Sequence, residues 1–276
     1  MIEIGAKKHL GGLTMNEVTR DQIRESVRDN YKKVALSSTD NSSCCGPTSC
    51  CSPNSDVSLQ FGYSIEEIKS VPAGSNLGLG CGNPQTIAEL KENEVVVDLG
   101  SGGGFDCFLA SKQVGNKGKI IGVDMTPEMI SKARANAHKN QYTNVEFRLG
   151  EIENLPIAND TVDVIMSNCV INLSPDKGKV FQEAYRVLKS GGRLAISDIV
   201  MTNDLPDEIR KDIQLYSGCI SGSSPINELK QHLINAGFID IQIDPKDESK
   251  EFIKDWAPGK NVDDYIVSAV IKAIKP

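Results

Sequence analysis

The sequence predicts an α/β protein built on a doubly wound, mostly parallel sheet, and three observations carry that prediction. The first is the run Glu94-Val95-Val96-Val97-Asp98-Leu99-Gly100-Ser101-Gly102-Gly103-Gly104-Phe105-Asp106, which reads as a strand, a glycine loop and the start of a helix. A continuous β-branched run suits a parallel strand covered on both faces, and the strand–loop–helix turn is where such sheets bind ligands. The second is a further acidic strand end, Gly122-Val123-Asp124-Met125, with Asp124 twenty residues beyond Gly104. Doubly wound folds set an acid against a ribose hydroxyl at about that distance. The third is the regular alternation of strand and helix patterns from residue 94 onward. Together they point to a nucleoside cofactor.

Each element has its own signal. Residues 17–36 carry Val18, Ile23, Val27, Tyr31 and Val34 among charges, so the spacing predicts an amphipathic helix that packs over the cofactor. Residues 37–56 are polar and without periodicity, hold Cys44, Cys45, Cys50 and Cys51, and read as a linker. The alternation then predicts strand 95–99, helix 105–114, strand 119–123, helix 127–140, strands 145–149 and 162–166, helix 177–189 and strand 193–199. Thr126 and Pro127 suit a helix start, and Ser190-Gly191-Gly192 suits a helix end. A helix at 225–236 and strands at 238–243 and 265–273 follow. Residues 244–264, with Trp256 and Pro258-Gly259, are too long for a hairpin turn and suit either a cover for the site or a structural flap. The chain divides into an N-terminal helix and Cys-rich loop (1–60), a cofactor-binding core (61–200) and a C-terminal segment (201–276).

Bulk properties narrow the class. A chain of 276 residues can bury a full core, and its 37 acidic against 30 basic residues argue against a nucleic-acid surface. No apolar run approaches a membrane span, and the start Met1-Ile2-Glu3-Ile4-Gly5-Ala6-Lys7-Lys8 lacks the apolar centre of a signal peptide, so a cytoplasmic protein is expected. A reducing compartment does not favour eight structural half-cystines, and an isolated cysteine is most often a small buried hydrophobe.

The glycine loop excludes two common cofactor classes. The nicotinamide and flavin fingerprint needs glycine at its first, third and sixth positions, and the sixth from Gly100 is Phe105; no G-x-x-x-x-G-K-[ST] loop occurs. The pattern Asp98-Leu99-Gly100-Ser101-Gly102-Gly103-Gly104 instead resembles motif I of the class I S-adenosyl-L-methionine-dependent methyltransferases. That resemblance implies a Rossmann-like, seven-stranded sheet whose final two strands form an antiparallel pair, the last inserted beside the fifth. It also implies cofactor contacts from Asp98, Gly100, Ser101, Gly102 and Gly104, from Asp124 and Met125, from Glu151 and Ile152 at adenine, and from Asn168 at the amino acid end.

Three cysteines have unusual settings: Cys81 in Leu79-Gly80-Cys81-Gly82-Asn83-Pro84, Cys169 directly after Asn168 at a predicted strand end, and Cys219 in Ser217-Gly218-Cys219-Ile220-Ser221-Gly222. Convergent thiolates suit a thiophilic centre better than carboxylates do. These segments, with Ser64–Pro72, the glycine loop, Asn168-Cys169-Val170-Ile171-Asn172-Leu173-Ser174 and Trp256-Ala257-Pro258-Gly259-Lys260-Asn261, look like the arsenite methyltransferases. The resemblance implies that Cys81, Cys169 and Cys219 hold As(III) beside the sulfonium methyl, with a further cysteine from the N-terminal loop. Cys44 and Cys45 are the candidates for it, and Cys50 or Cys51 could substitute. Free or thiol-conjugated arsenite is then the substrate, thioredoxin or glutathione the reductant, and Cys107 a core residue.

Two other readings compete. A methyltransferase acting on an organic carbon such as a quinone ring would need a base, and His9, His138 and His232 lie in a tail or in predicted helices away from the strand ends. A thiol sensor or metal-binding module could use the clustered cysteines, although Cys44-Cys45 and Cys50-Cys51 lack the C-x2-C spacing of tetrahedral zinc sites.

Overall fold

Strands form where the β-branched runs stand. A computed structural model of the chain, describing residues 15–37 and 55–276, contains β1 (Val95–Leu99), β2 (Lys119–Asp124), β3 (Val145–Leu149), β4 (Val162–Asn168), β5 (Leu188–Met201), β6 (Ser224–Pro225), β7 (Ile239–Lys246) and β8 (Ile266–Ile274). The helices are α1 (Met15–Ser37), α2 (Ser55–Gln60), α3 (Ile65–Ser70), α4 (Gln85–Ala88), α5 (Phe105–Val114), α6 (Pro127–Lys139), α7 (Lys177–Val187), α8 (Asp207–Arg210), α9 (Ile213–Ser217), α10 (Ile226–Ala236) and α11 (Lys250–Ile253). The sheet order is β3-β2-β1-β4-β5-β8-β7, with the two-residue β6 pairing the end of β5. The first five strands are parallel, and β8 runs antiparallel between β5 and β7. The seven-stranded expectation holds for this path.

Register places the functional residues. Leu99 pairs with Val123 and Ser167, and Asn168 pairs with Ser197, so the carboxyl ends of β1, β2 and β4 lie level beside β5. Ligands in open α/β sheets sit outside that rim, where the strand order reverses between β1 and β4.

Both faces of the sheet are covered. Phe181, Val180 and Ala184 of α7 and Leu229 and Leu233 of α10 pack on one face; Phe108 and Ala110 of α5 and Ile130 and Ala133 of α6 pack on the other. Phe108 and Phe181 are fully buried, and each such side chain contributes roughly 1.5–3 kcal/mol relative to exposure. A third cluster above the rim unites Val27 of α1 with Cys81, Cys169, Cys219, Ile253, Ala257 and Val262.

The structure differs from the sequence expectation at two turns. The predicted helix 177–189 ends at Val187, and Ser190-Gly191-Gly192 lies inside β5, because Gly191 N donates to Lys275 O at 2.8 Å and Lys275 N to Gly192 O at 2.9 Å. The end of the last strand recruits those glycines into the sheet. Thr126 stands at the N-cap of α6 with Pro127 at the first position, but its side chain makes no cap hydrogen bond into the first turn. Among the described residues no helix is long and apolar enough to cross a membrane.

Candidate active site

A cavity of about 970 Å³ opens at the carboxyl rim, walled by the glycine loop, the ends of β2 and β4, α1 and the Cys219 turn. Small-ligand pockets span about 300–1,000 Å³, so this one has room for a nucleoside cofactor and a small acceptor together. On the cofactor side, Gly100 N and Ser101 N donate to Val123 O at 2.7 and 3.1 Å, and Gly102 N donates to Asp124 Oδ2 at 2.9 Å. Asp124 Oδ1 accepts from Thr126 N at 2.8 Å, so the carboxylate is fixed by backbone and borders the cavity. Burial pushes the Asp124 carboxyl up, and those backbone donors pull it back. Ser101 Oγ is buried without a hydrogen-bond partner, and a Cβ at Gly102 would meet nothing within 4 Å. Gly102 thus presents bare backbone to the cavity beside a carboxylate held in place, and these residues fit an adenosyl cofactor.

Behind the loop, a recess of about 60 Å³ is lined by Asp98, Ser101, Asp106 and Asn168 among others. Asp98 accepts from Cys107 Sγ at 3.2 Å, and burial, with the Asp106 charge next, pushes its carboxyl well up. Burial also raises the Cys107 thiol well above its ordinary value, with Asp98 adding to it, so Cys107 is a core donor and no thiolate. Asp106 accepts from Tyr63 Oη at 2.8 Å and from Gln85 Nε2 at 3.3 Å; burial raises its carboxyl to about 6 against those hydrogen bonds.

The thiols stand on the facing wall. Cys81 and Cys169, 88 residues apart, are joined in a disulfide with their Cα atoms 5.8 Å apart, and the Cys219 thiol donates to Cys169 O at 2.8 Å. Cys169 and Cys219 both occupy left-handed backbone, at φ 57° and 62°, a costly conformation for a residue with a side chain. The turn after Cys169 is fixed by Asp198, whose carboxylate accepts from Ile171 N, Asn172 Nδ2 and Ile199 N at 2.8–2.9 Å. An Asp198 oxygen lies within 4.8 Å of the Cys81 and Cys169 sulfurs, and burial raises this carboxyl to about 6. Lys177 Nζ donates to Gly222 O at 2.6 Å, holding the turn that carries Cys219.

The glycines around Cys81 have a steric reason. A Cβ at Gly80, φ 129°, would lie 2.7–2.9 Å from the Asn168 amide, and one at Gly82 would lie 2.1 Å from Ser197 Oγ. The bare Gly82 lets the turn lie against Ser197 of β5, and the bare Gly80 lets the Asn168 side chain enter, where Oδ1 accepts from Cys81 N at 2.9 Å and Nδ2 donates to Gly82 O at 2.7 Å.

Of the residues singled out in the sequence, Gly100, Gly102, Asp124, Met125, Ile152, Asn168, Cys169 and Cys219 line the one cavity. Cys81 is buried behind its disulfide in the same apolar cluster, while Asp98 and Ser101 face the smaller recess. Gly104 caps α5, where a Cβ would strike Phe108 and Phe147 at 2.7–2.8 Å, so packing alone demands a glycine there. Glu151 pairs with Arg24 and Arg28 of α1 at 3.7 and 3.5 Å, and the buried Glu153 borders the cavity instead. Cys44 and Cys45, with Cys50 and Cys51, lie outside the described residues. Tyr63, Lys177 and Asp198 were not legible as site residues, because nothing local marks a residue whose partners are distant in sequence. Trp256, from the excursion between β7 and β8, reaches the cavity wall.

Comparison with known proteins gives this geometry a family. The methyltransferase domain family matches residues 90–239. The arsenite methyltransferase of Halobacterium salinarum is 50% identical over 266 residues, covering 93% of this chain and 67% of that protein. The human arsenite methyltransferase is 44% identical over 168 residues, 58% of this chain and 44% of its own length. The crystal structure of the arsenic(III) S-adenosylmethionine methyltransferase from Chlamydomonas reinhardtii superposes with a TM-score of 0.60 at 29% identity, over 82% of this chain and 75% of that one. The chain spans about two thirds or less of the length of these curated relatives. With a cofactor loop and a trio of cysteines on one rim, and with half its residues shared with the archaeal relative, the chain belongs to the arsenite methyltransferase family of S-adenosylmethionine-dependent enzymes.

Proposed function

We propose that this chain methylates trivalent arsenic held by Cys81, Cys169 and Cys219, yielding methylated arsenicals in the cytoplasm. The observation that carries the reading is a single cavity with Gly100, Gly102 and Asp124 on one wall and Cys169 and Cys219 on the other. Arsenite condenses with three thiols and releases three waters, with no change of oxidation state, leaving arsenic as a trigonal pyramid with its lone pair free. S-adenosylmethionine, when bound, would supply an electrophilic sulfonium methyl and leave as S-adenosylhomocysteine; the arsenic lone pair would form the new bond, arsenic rising formally from +3 to +5, and two of the thiolates leaving as a disulfide would return it to +3. Asp98, Gly100, Ser101, Gly102, Asp124, Met125 and Ile152 would hold that cofactor. The protein's part is position and thiolate electron donation, so no general base is needed. None of the described cavity residues is histidine, which disfavours an organic acceptor that must lose a proton.

The Cys81–Cys169 disulfide supports a reductant in the cycle. Cys81 and Cys169 are oxidised in this structure, so two electrons and two protons must arrive before both can bind arsenic. A dithiol such as thioredoxin, or two glutathiones, would supply them and leave as a disulfide. Cys44 or Cys45 would contribute the additional thiol.

The test is Cys169→Ser. Arsenite-dependent methyl transfer should vanish while the affinity for S-adenosylmethionine stays within twofold of wild type. Arsenite turnover surviving in that variant would refute the coordination.

A further inference from the structure

The 78–82 turn that carries Cys81 has glycine at Gly78, Gly80 and Gly82 and little stiffness of its own. Apart from the disulfide and a long Cys81 Sγ–Ser197 Oγ contact at 3.9 Å, its hold on the rim among the described residues is three hydrogen bonds: Cys81 N to Asn168 Oδ1 at 2.9 Å, Asn168 Nδ2 to Gly82 O at 2.7 Å, and Ser268 Oγ to Cys81 O at 2.8 Å. Two of the three come from Asn168, the residue directly before Cys169, so one side chain spans both sulfur ligands.

That amide is itself braced. Asn168 Nδ2 donates to Tyr63 Oη at 3.1 Å, and Tyr63 donates its own proton to Asp106 Oδ1 at 2.8 Å. Gln85 Nε2 holds the Asp106 main-chain oxygen at 2.9 Å, and the Tyr63 ring packs edge-on against Phe105 with centroids 4.8 Å apart. Tyr63 is 4% exposed and borders neither cavity, so it reaches the Cys81 turn through Asn168. The chain of contacts runs from the start of α5, beside the glycine loop, to the Cys81 backbone.

We propose that Tyr63 and Asn168 are positioning residues for the arsenic centre, keeping the Cys81 sulfur beside Cys169 when the disulfide between them is open. The inference rests on the arsenic-binding role given to these cysteines above. Opening the disulfide removes the covalent tie, and the sulfurs must then stay close enough to share one atom. Asn168 supplies that tie in both redox states, and Tyr63 keeps the amide aimed at the turn.

The experiment uses the full chain, reduced with a phosphine, and reads arsenite and S-adenosylmethionine binding through Trp256, the one tryptophan of the sequence, which lines the cavity. Tyr63→Phe keeps the ring and deletes the hydroxyl. Loss of one buried hydrogen bond to a charged group should weaken arsenite binding about five- to tenfold, with cofactor affinity within twofold and turnover at saturating arsenite within about threefold. Once the reductant is replaced by a fixed concentration of oxidised glutathione, which takes up the two electrons as two glutathione thiols, the Cys81–Cys169 disulfide should re-form about fivefold more slowly, because the effective concentration of one sulfur at the other falls. In an Asn168→Ala background, Tyr63→Phe should change neither quantity further. Unchanged arsenite affinity and disulfide re-formation in Tyr63→Phe overturn the proposal, as does a parallel loss of cofactor and arsenite affinity. Should Tyr63→Phe not fold, Asn168→Ser is read by the same two measurements, and the same results support or overturn the positioning role. A wild-type chain that binds no arsenite defeats the functional reading, whereas the disulfide re-formation rate still judges the positioning role.

Discussion

Two glycines of one loop, Gly100 and Gly102, should fail for different reasons when each is changed to alanine. Both have left-handed backbone, φ 70° and 51°, and an L side chain there costs about 1–2 kcal/mol. At Gly102 the new Cβ would meet nothing within 4 Å, so the backbone term is the whole cost to the ligand-free fold. At Gly100 it would lie 2.3 and 2.6 Å from the two γ-methyls of Val170, the residue after Cys169. Overpacking of that kind adds about 1–3 kcal/mol, so Gly100→Ala should lose about 2–5 kcal/mol and Gly102→Ala about 1–2 kcal/mol. Urea unfolding of the cofactor-free variants measures the difference, and calorimetric titration with S-adenosylmethionine measures the rest. Gly102→Ala should bind the cofactor more than about tenfold more weakly, since it puts a methyl into the space where the ligand approaches the backbone. Equal destabilisation of the two variants, or a Gly102→Ala variant with unaltered cofactor affinity, would refute the assignment of one glycine to packing and the other to the ligand.

Arg24 of α1 reaches the buried Glu153 at 3.3 Å and Glu151 at 3.7 Å, so Arg24→Met should cost about 2 kcal/mol, between an exposed pair and a fully buried one. Amide exchange across α1 should quicken by more than about tenfold in that variant, and unchanged protection would count against α1 being held over the cavity by charge. Glu146 lies between Arg148 at 2.8 Å and Lys119 at 2.7 Å, and the Arg148 hydrogen bond, then that of Lys119, lowers its carboxyl from 4.5 to about 2. A carboxyl depressed in the folded state stabilises above its unfolded value and stops doing so as pH falls through the folded one. Glu146→Gln should therefore cost less than about 1 kcal/mol near neutrality, given its exposure, and the gap to wild type should close between about pH 5 and 2. Thermal unfolding across that range checks it, and a gap independent of pH would sink the pairing.

The strands and the cofactor loop were legible in the sequence because their causes are local. The Val95-Val96-Val97 run, the glycines from Gly100 to Gly104 and the acid at Asp124 each bring their own backbone preference, and observed β1 and α5 coincide with the predicted spans. The unusual settings of Cys81, Cys169 and Cys219 were also visible, since glycines beside a thiol stand out in any order of reading. Tertiary structure alone decided that Cys81 and Cys169 share a disulfide, that Glu151 answers to the arginines of α1, and that Ser190-Gly191-Gly192 joins a strand. It also decided that Asn168 is spent on the Cys81 turn. Each of these depends on partners 83 to 127 residues away, as in Lys275 with Gly192 and Arg24 with Glu151, and no local pattern encodes a partner brought in only by the closing of the sheet.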